Sequence, residues 1–376
     1  MKRLLLVVLV GMFLFTGTTW AQGQCEGCKV AVTGYLGPTF RIVDHGDGYK
    51  KDIGFGMPYN RVDFAGMMEV GPIVKKIGWK AEADFSQTGS YGLVYGYVQA
   101  YFTDMLSARF GYMKPYFGLE WFYPTYDQID IDRLITPLTA GDGLTYFDYS
   151  YGLDLVYKGE MFSVMAGAYD GQGAQKLVRN QDPALDYVAR GCFTGVEGLK
   201  VGAAVRMKGL PGTYDTYFDE WEYSPDQGSY VDSTAFYQTN NALAYEADLD
   251  YMKSFEGDMS LHVQGEFGMG DNYQMVPKDA QPGDEWEDFD WYQFQYFYAK
   301  ALFMVTSNFG VHGSYASYDP NTDVDYDTMT KIPLGITYKW SKRVTTLAEV
   351  QLYKQQISEN TDENFTNFAL MQVVVW

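Results

Sequence analysis

Residues 242–251 read ALAYEADLDY, with Leu243, Tyr245, Ala247, Leu249 and Tyr251 alternating against Glu246, Asp248 and Asp250. Period-two alternation puts the apolar set on one face of an extended strand and the three carboxylates on the other. At the helical period of 3.6 the same residues would scatter over the whole circumference. The stretch reads as a strand with one oily and one charged face, and the fold depends on which face meets water.

The pattern recurs. IGWKAEADFS (77–86) sets Trp79, Ala81, Ala83 and Phe85 against Lys80, Glu82 and Asp84, and DYSYGLDLVYK (148–158) sets Tyr151, Leu153, Leu155 and Tyr157 against Ser150, Asp154 and Lys158. SLHVQGEFGM (260–269) and KIPLGITYKW (331–340) alternate in the same way. Sixteen segments are expected: 29–43, 59–71, 76–86, 91–103, 106–117, 147–158, 161–171, 185–196, 199–209, 240–254, 258–270, 288–306, 308–318, 326–340, 343–356 and 364–376. GPIV, TDM, KGE, EGLK, SFEGD, TSN and WSKR are tight turns between them, and longer loops, notably 118–146, 210–239 and 271–287, fall in the alternate gaps. Short turns on one rim, long loops on the other and an even count predict an all-β chain folded as a transmembrane antiparallel barrel, with the short turns periplasmic and the long loops extracellular.

A soluble sandwich would alternate too, with its apolar faces buried between two sheets. Here Tyr and Trp recur near strand ends, at Trp79, Tyr157, Tyr251 and Trp340, as the interfacial girdles of a membrane barrel require. The composition agrees: 33 Tyr, 24 Phe, 8 Trp and 40 Gly accompany a mean hydropathy of −0.25. The opening MKRLLLVVLVGMFLFTGTTWAQ has a basic start, an apolar run and small residues up to Ala21, which predicts a secretory signal over 1–21. A short tail, 22–28, then precedes the barrel proper, 29–376.

That tail carries Cys25 and Cys28 in CEGC. On the oxidising periplasmic side the pair can close a small local disulfide, or it can serve a redox or assembly contact. No His follows, so it is not a haem attachment site. The formal charge of −20 excludes a nucleic-acid partner, which needs basic surface. No cofactor motif, nucleophile elbow or metal-binding helix is present, and the histidines His45, His262 and His312 are scattered, so neither an enzyme nor a metal site is expected. The acidic run DPNTDVDYD (319–327) lacks the Gly and the distant Glu of an EF-hand loop.

With a periplasmic N-terminus, the sixteenth strand descends and ends at the periplasmic interface. FALMQVVVW (368–376) places Phe368, Leu370, Val374 and Trp376 on one face, with Gln372 the exception. This resembles the C-terminal signal of bacterial outer-membrane proteins, which implies insertion by the barrel-assembly machinery and an address in the outer membrane of a Gram-negative-type bacterium, among its lipids.

LSARFGYMKPYFGLEW (106–121) carries a further resemblance. Lys114, Pro115, Phe117, Gly118, Leu119 and Glu120 match the Lys-Pro, aromatic, Phe-Gly-Leu-Glu segment of the phosphate-selective porin O and P family, and YDGQG (169–173) is similar to an element of that family's next hairpin. The resemblance implies a sixteen-stranded porin for small solutes or ions, often a homotrimer, whose third external loop folds into the lumen. That loop is 118–146, and Asp127, Asp130, Asp132 and Arg133 are its expected constriction residues, bringing mostly negative charge.

Strand parity places Arg41, Arg61, Lys80, Arg109, Arg190, Arg206, Glu246, Asp248 and Glu266 toward the lumen. The basic residues of the eighth and ninth strands then oppose acidic ones on the tenth and eleventh, predicting a transverse field. Phosphate selectivity needs lumenal Arg and Lys, whereas loop 210–239 holds Asp215, Asp219, Glu220, Glu222, Asp226 and Asp232 without a basic residue. Such a vestibule repels anions over a Debye length of roughly 8 Å. The alternative is a scaffold barrel that encloses or docks a periplasmic partner, since barrels around multihaem cytochromes carry a similar N-terminal Cys pair.

Overall fold

The computed structural model describes residues 28–44, 51–85, 92–124, 128–135, 146–147, 149–170, 185–210, 223–224, 229–230, 240–272, 292–325, 327–358 and 361–375. Among the described residues eighteen strands form: β1 Cys28–Asp44, β2 Asp52–Glu69, β3 Lys76–Asp84, β4 Gly92–Tyr101, β5 Leu106–Met113, β6 Ser150–Lys158, β7 Phe162–Tyr169, β8 Asp186–Val196, β9 Leu199–Leu210, β10 Tyr223–Ser224, β11 Ser229–Tyr230, β12 Asn240–Ser254, β13 Ser260–Asn272, β14 Tyr292–Met304, β15 Phe309–Asp319, β16 Met329–Ser341, β17 Val344–Ser358 and β18 Thr361–Val375. One helical turn, α1, spans Leu119–Phe122. β10 and β11 pair only with each other, and the other sixteen close into one antiparallel barrel.

Every barrel strand pairs with its neighbours in sequence, and β1 meets β18 to remove the last edge, with Tyr35 opposite Val375 and Asp44 opposite Thr366. Closure leaves no row of unpaired backbone groups, which is what lets a sheet cross a bilayer. The alternation sorts as the pattern demands. Leu153 and Leu155 are 51% and 52% exposed on the outside, while Asp154 between them is 1% exposed inside. In β12, Tyr245 and Leu249 face out, and Glu246, Asp248 and Asp250 face in. An exterior of this kind is stable only against lipid.

The seven tight turns expected from sequence all form on one rim, in residues 70–75, 102–105, 159–161, 197–198, 255–259, 305–308 and 342–343. Trp79, Tyr157, Tyr251 and Trp340 lie near that rim on the outer side of β3, β6, β12 and β16. Several boundaries differ from expectation, and two of the shifts have a plain cause. β2 starts at Asp52 rather than residue 59, because Ile53 and Phe55 continue the outward apolar set. β5 ends at Met113 rather than residue 117, because Pro115 has no N–H for the ladder.

Most of loops 210–239 and 271–287 lies outside the described residues, as do the segment 1–27 and Trp376. Cys25 is among these residues, and Cys28 opens β1.

Candidate pore constriction

Between β5 and β6 the chain leaves the wall and crosses the lumen. Gly118 makes the turn at φ 87, and a Cβ there would sit 2.5 Å from the Phe147 ring. Only glycine takes that backbone conformation without strain. The Gly118 N–H donates to the Glu246 carboxylate on β12, and α1 follows directly. The motif of the porin resemblance is thus the inward turn itself: Phe117 and Leu119 are buried, and Glu120 sits at the bottom of the loop.

Glu120 organises the segment from inside. Its Oε1 accepts the Leu134 N–H at 2.7 Å and its Oε2 the Ile135 N–H at 3.0 Å. Lys300 Nζ on β14 lies 3.2 Å from Oε1. Burial by itself would push this carboxyl up, but Lys300 and the two backbone donors hold it below the ordinary glutamate value.

The loop then fastens to the wall strand by strand. The Glu120 N–H donates to Glu266 Oε2 at 3.1 Å and the Ile131 N–H to Glu349 Oε1 at 2.6 Å. Ser314 donates its hydroxyl to Asp130 Oδ1 at 2.6 Å, Arg41 its guanidinium to Asp132 Oδ1 at 2.5 Å, and Lys331 its ammonium to the Arg133 carbonyl at 3.2 Å. Apolar contacts seal these joints. Phe117, Leu134, Ile135, Tyr146 and Phe147 pack on Val188, Ala242, Ala244, Tyr296, Tyr298 and Tyr318, and Ile131 packs on Leu347, Ala369, Met371 and Val373. The inward alanines of β12 and β18 make room for the loop.

Two expectations are corrected here. Arg190 and Arg206 do not face Glu246, Asp248 and Glu266 across the pore. Arg190 bridges to Glu246 and, at 2.6 Å, to Asp248 along the same wall, and Arg206 pairs with Asp186 at 2.6 Å. Pairs this close neutralise each other, so these strands give no transverse field. The second correction concerns the loop's charge. Asp130 and Asp132 point into the wall rather than the pore, and Asp127 lies outside the described residues.

The opposite wall is lined differently. A cavity of about 180 Å³ lies between the loop and β1–β5, bordered by Arg61, Lys80, Arg109 and Lys114, by Asp63 and Glu82, and by Tyr35, Tyr95 and Tyr97. Four cations meet four carboxylates, since Asp84 and Asp154 stand behind the lining. Arg61 is held by Asp84 at 2.7 Å and Glu82 at 2.8 Å, Lys80 by Asp63 at 3.3 Å, and Arg109 by Asp154 at 2.6 Å. The Arg109 guanidinium also lies over the Tyr116 ring at 4.2 Å and the Tyr97 ring at 5.2 Å.

Lys114 and Arg133 have no ion pair among the described residues. Lys114 donates to the Trp121 carbonyl at 2.6 Å and lies 4.6 Å from the indole, and Arg133 lies over the same ring at 4.5 Å. The ring face supplies electron density in place of a carboxylate. Burial, followed by repulsion from Arg133 and Arg61, pushes the Lys114 ammonium well below the ordinary lysine value.

The side chains named from parity, Arg41, Arg61, Lys80, Arg109, Arg190, Arg206, Glu246, Asp248 and Glu266, lie on the inner side of the sheet, most of them in ion pairs with the wall or the loop. The pattern did not select Lys114, Trp121 or the tyrosines of the open side, since nothing local in the sequence says which lumenal residues the loop covers. His312, set aside as scattered, contacts Glu349 and lies near Asp130. The three positions are far apart in sequence and carry no spacing signal. In the acidic run 319–327, Asp319 accepts the Asn321 N–H and Asn321 the Asp323 N–H, both at 3.1 Å, so these side chains cap their own backbone.

No protein-family model matches the chain, and no curated protein does. Solved structures do. The outer membrane channel DcaP of Acinetobacter baumannii superposes with a TM-score of 0.65 at 15% identity, over 95% of this chain and 100% of that one. The anion-selective porin from Comamonas acidovorans gives 0.63 at 11% identity, over 93% and 100%. OmpT of Vibrio cholerae in its trimer form gives 0.56 at 13% identity, over 93% and 100%. At these identities the likeness fixes the architecture, a sixteen-stranded barrel of the outer-membrane porin type.

Proposed function

We propose that the chain is a passive channel of the outer membrane that favours small anionic solutes. The observation that carries this reading is the asymmetry of the lumen. The loop takes up the carboxylates Glu246, Glu266 and Glu349 as acceptors for its own backbone. Of the cations that border the remaining space, Arg61, Lys80 and Arg109 are paired with carboxylates of the wall, and Lys114 has no ion pair among the described residues. Guanidinium and ammonium groups at a pore edge lower the barrier for anions so far as they exceed the carboxylates beside them, and Lys114 supplies that excess. Tyrosines beside them offer hydroxyl donors and apolar ring faces to an organic anion. Phosphate is one candidate, by the 114–120 motif alone, and the name of the Comamonas porin supports the broader anionic class.

A scaffold role is less favoured, because residues 117–124 and 128–135 fill the place a polypeptide partner would take. Trimerisation remains part of the proposal through the Vibrio relative's trimer form.

Purified, refolded protein in a planar bilayer under a KCl gradient tests the reading. Stable open steps with an anion-directed reversal potential, and current reduced by added phosphate or dicarboxylate, are expected. A cation-directed reversal potential overturns the anion preference, and silence from folded barrel overturns the channel.

A further inference from the structure

The strongest cluster that the channel reading leaves unused lies where the loop meets β15, β16 and β17. His312 on β15 and Glu349 on β17 are not neighbours in the sheet, and Gly335 of β16 stands between them in register with both. A Cβ at Gly335 would lie 2.5 Å from His312 Nε2. The missing side chain therefore lets the imidazole reach across the middle strand to Glu349 Oε1 at 3.0 Å. Asp130 descends from the loop onto the same point, and one ligand atom from each of the three lies within 4.8 Å of the others.

All three side chains are buried, and one of their polar atoms is left unmatched. Asp130 is 1% exposed, and its Oδ2 has no hydrogen-bond partner. Its Oδ1 takes the Ser314 hydroxyl. Lys300, the nearby ammonium, is committed to Glu120. His312 Nδ1 meets Thr337 Oγ1 at 3.1 Å, a hydroxyl that can accept from that nitrogen and so leave Nε2 free to bind a metal. A buried carboxylate oxygen without a donor, beside an imidazole and a second carboxylate, calls for a cation among them.

We propose that Asp130, His312 and Glu349 bind one divalent transition-metal ion, such as Zn²⁺, that latches the constriction loop to the barrel wall. One imidazole and two carboxylates are borderline ligands suited to this class, and their two negative charges match the ion's. An ion about 2.1 Å from each ligand needs ligand spacings of roughly 3.4 Å, which a small closing movement of the Asp130 carboxylate supplies. Thr337 and Ser314 already hold the outer sides of the imidazole and of Asp130, as supports of metal ligands do. The ion joins the loop at its midpoint to β15 and β17 at once, so it fixes the width of the pore.

The test uses full-length refolded barrel dialysed against Zn²⁺, or Co²⁺ for its visible spectrum, and does not depend on whether the channel conducts. One equivalent of metal per chain is expected by elemental analysis, with a Co²⁺ spectrum that Zn²⁺ abolishes. His312→Gln and Asp130→Asn should each weaken Zn²⁺ binding by at least about 100-fold, and Thr337→Val by about 10-fold. Unheated gel mobility confirms that each variant is folded. If His312→Gln does not fold, Asp130→Asn and Thr337→Val decide the matter, since both leave the sheet intact. Folded wild-type protein without stoichiometric metal, or metal retained equally by the variants, overturns the site.

Discussion

The two sides of the lumen are built from the same kinds of residue and use them for different ends. On the side that runs from β12 through β18 to β1, Glu246, Glu266 and Glu349 receive backbone N–H groups from the loop, and Asp130, Asp132 and Glu120 come from the loop to meet Ser314, Arg41 and Lys300. On the β2–β5 side Arg61, Lys80 and Arg109 pair with carboxylates of the wall and, with Lys114, border open space. A chain of charge −20 can therefore still leave one cation, Lys114, without an acidic partner among the described residues. Net charge describes the whole surface, whereas a pore's field depends on which carboxylates are left uncovered.

Four changes would break or sharpen this comparison. The largest effect belongs to Gly118→Val, which puts a β-branched side chain at φ 87 and against Phe147. The loop should fail to turn inward, single-channel conductance should rise several-fold and ion selectivity should collapse. Unchanged conductance would mean that the loop does not set the pore.

The double substitution Arg61→Ala with Lys80→Ala comes next. It removes two cations from the open side and leaves Glu82, Asp84 and Asp63 without them. The reversal potential should swing toward cations with little change in conductance. The same double change in a loop-deleted barrel should matter less.

Glu120→Gln attacks the sealed side. It leaves Lys300 buried without its carboxylate, a loss of about 3 kcal/mol in typical buried pairs, and should appear as faster proteolysis of the loop and noisier open current. Acid should mimic it. Because the Glu120 value is held low in the docked loop, its contribution is present above the ordinary glutamate range and is lost as pH falls through the lowered value.

The smallest effect is a pH slope. Lys114 is pushed below the ordinary lysine value, so its positive charge is present at low pH and disappears as pH rises through that lowered value. Anion preference should weaken on the alkaline side, and Lys114→Arg, whose guanidinium stays charged, should flatten the slope. A slope unchanged in Lys114→Arg assigns it to another group.

Much of this was legible before any coordinates. Alternation at Leu153, Asp154 and Leu155 is a local property of the backbone, because successive side chains must point to opposite faces, so the sorting of oily from charged residues followed directly. The turns were equally local, as at Glu197 and Gly198, where two residues suffice to reverse the chain. The 118–146 loop was also identifiable, by its position in the strand count and by the Lys114–Glu120 motif.

The electrostatics of the lumen were not legible. Parity says that Arg190, Glu246 and Arg61 all face inward, but it carries no information on whether Arg190 meets Glu246 along one wall or across the pore. Asp130, His312 and Glu349 show the same limit, since they converge only because a loop folds back on strands some 180 to 220 residues later in the chain. The sequence alone determined a sixteen-stranded membrane barrel, because period and polarity are properties of neighbouring residues. Only the tertiary structure decided which lumenal charges are spent on holding the loop and which remain to meet a solute, because that division depends on contacts between residues the chain brings together from far apart.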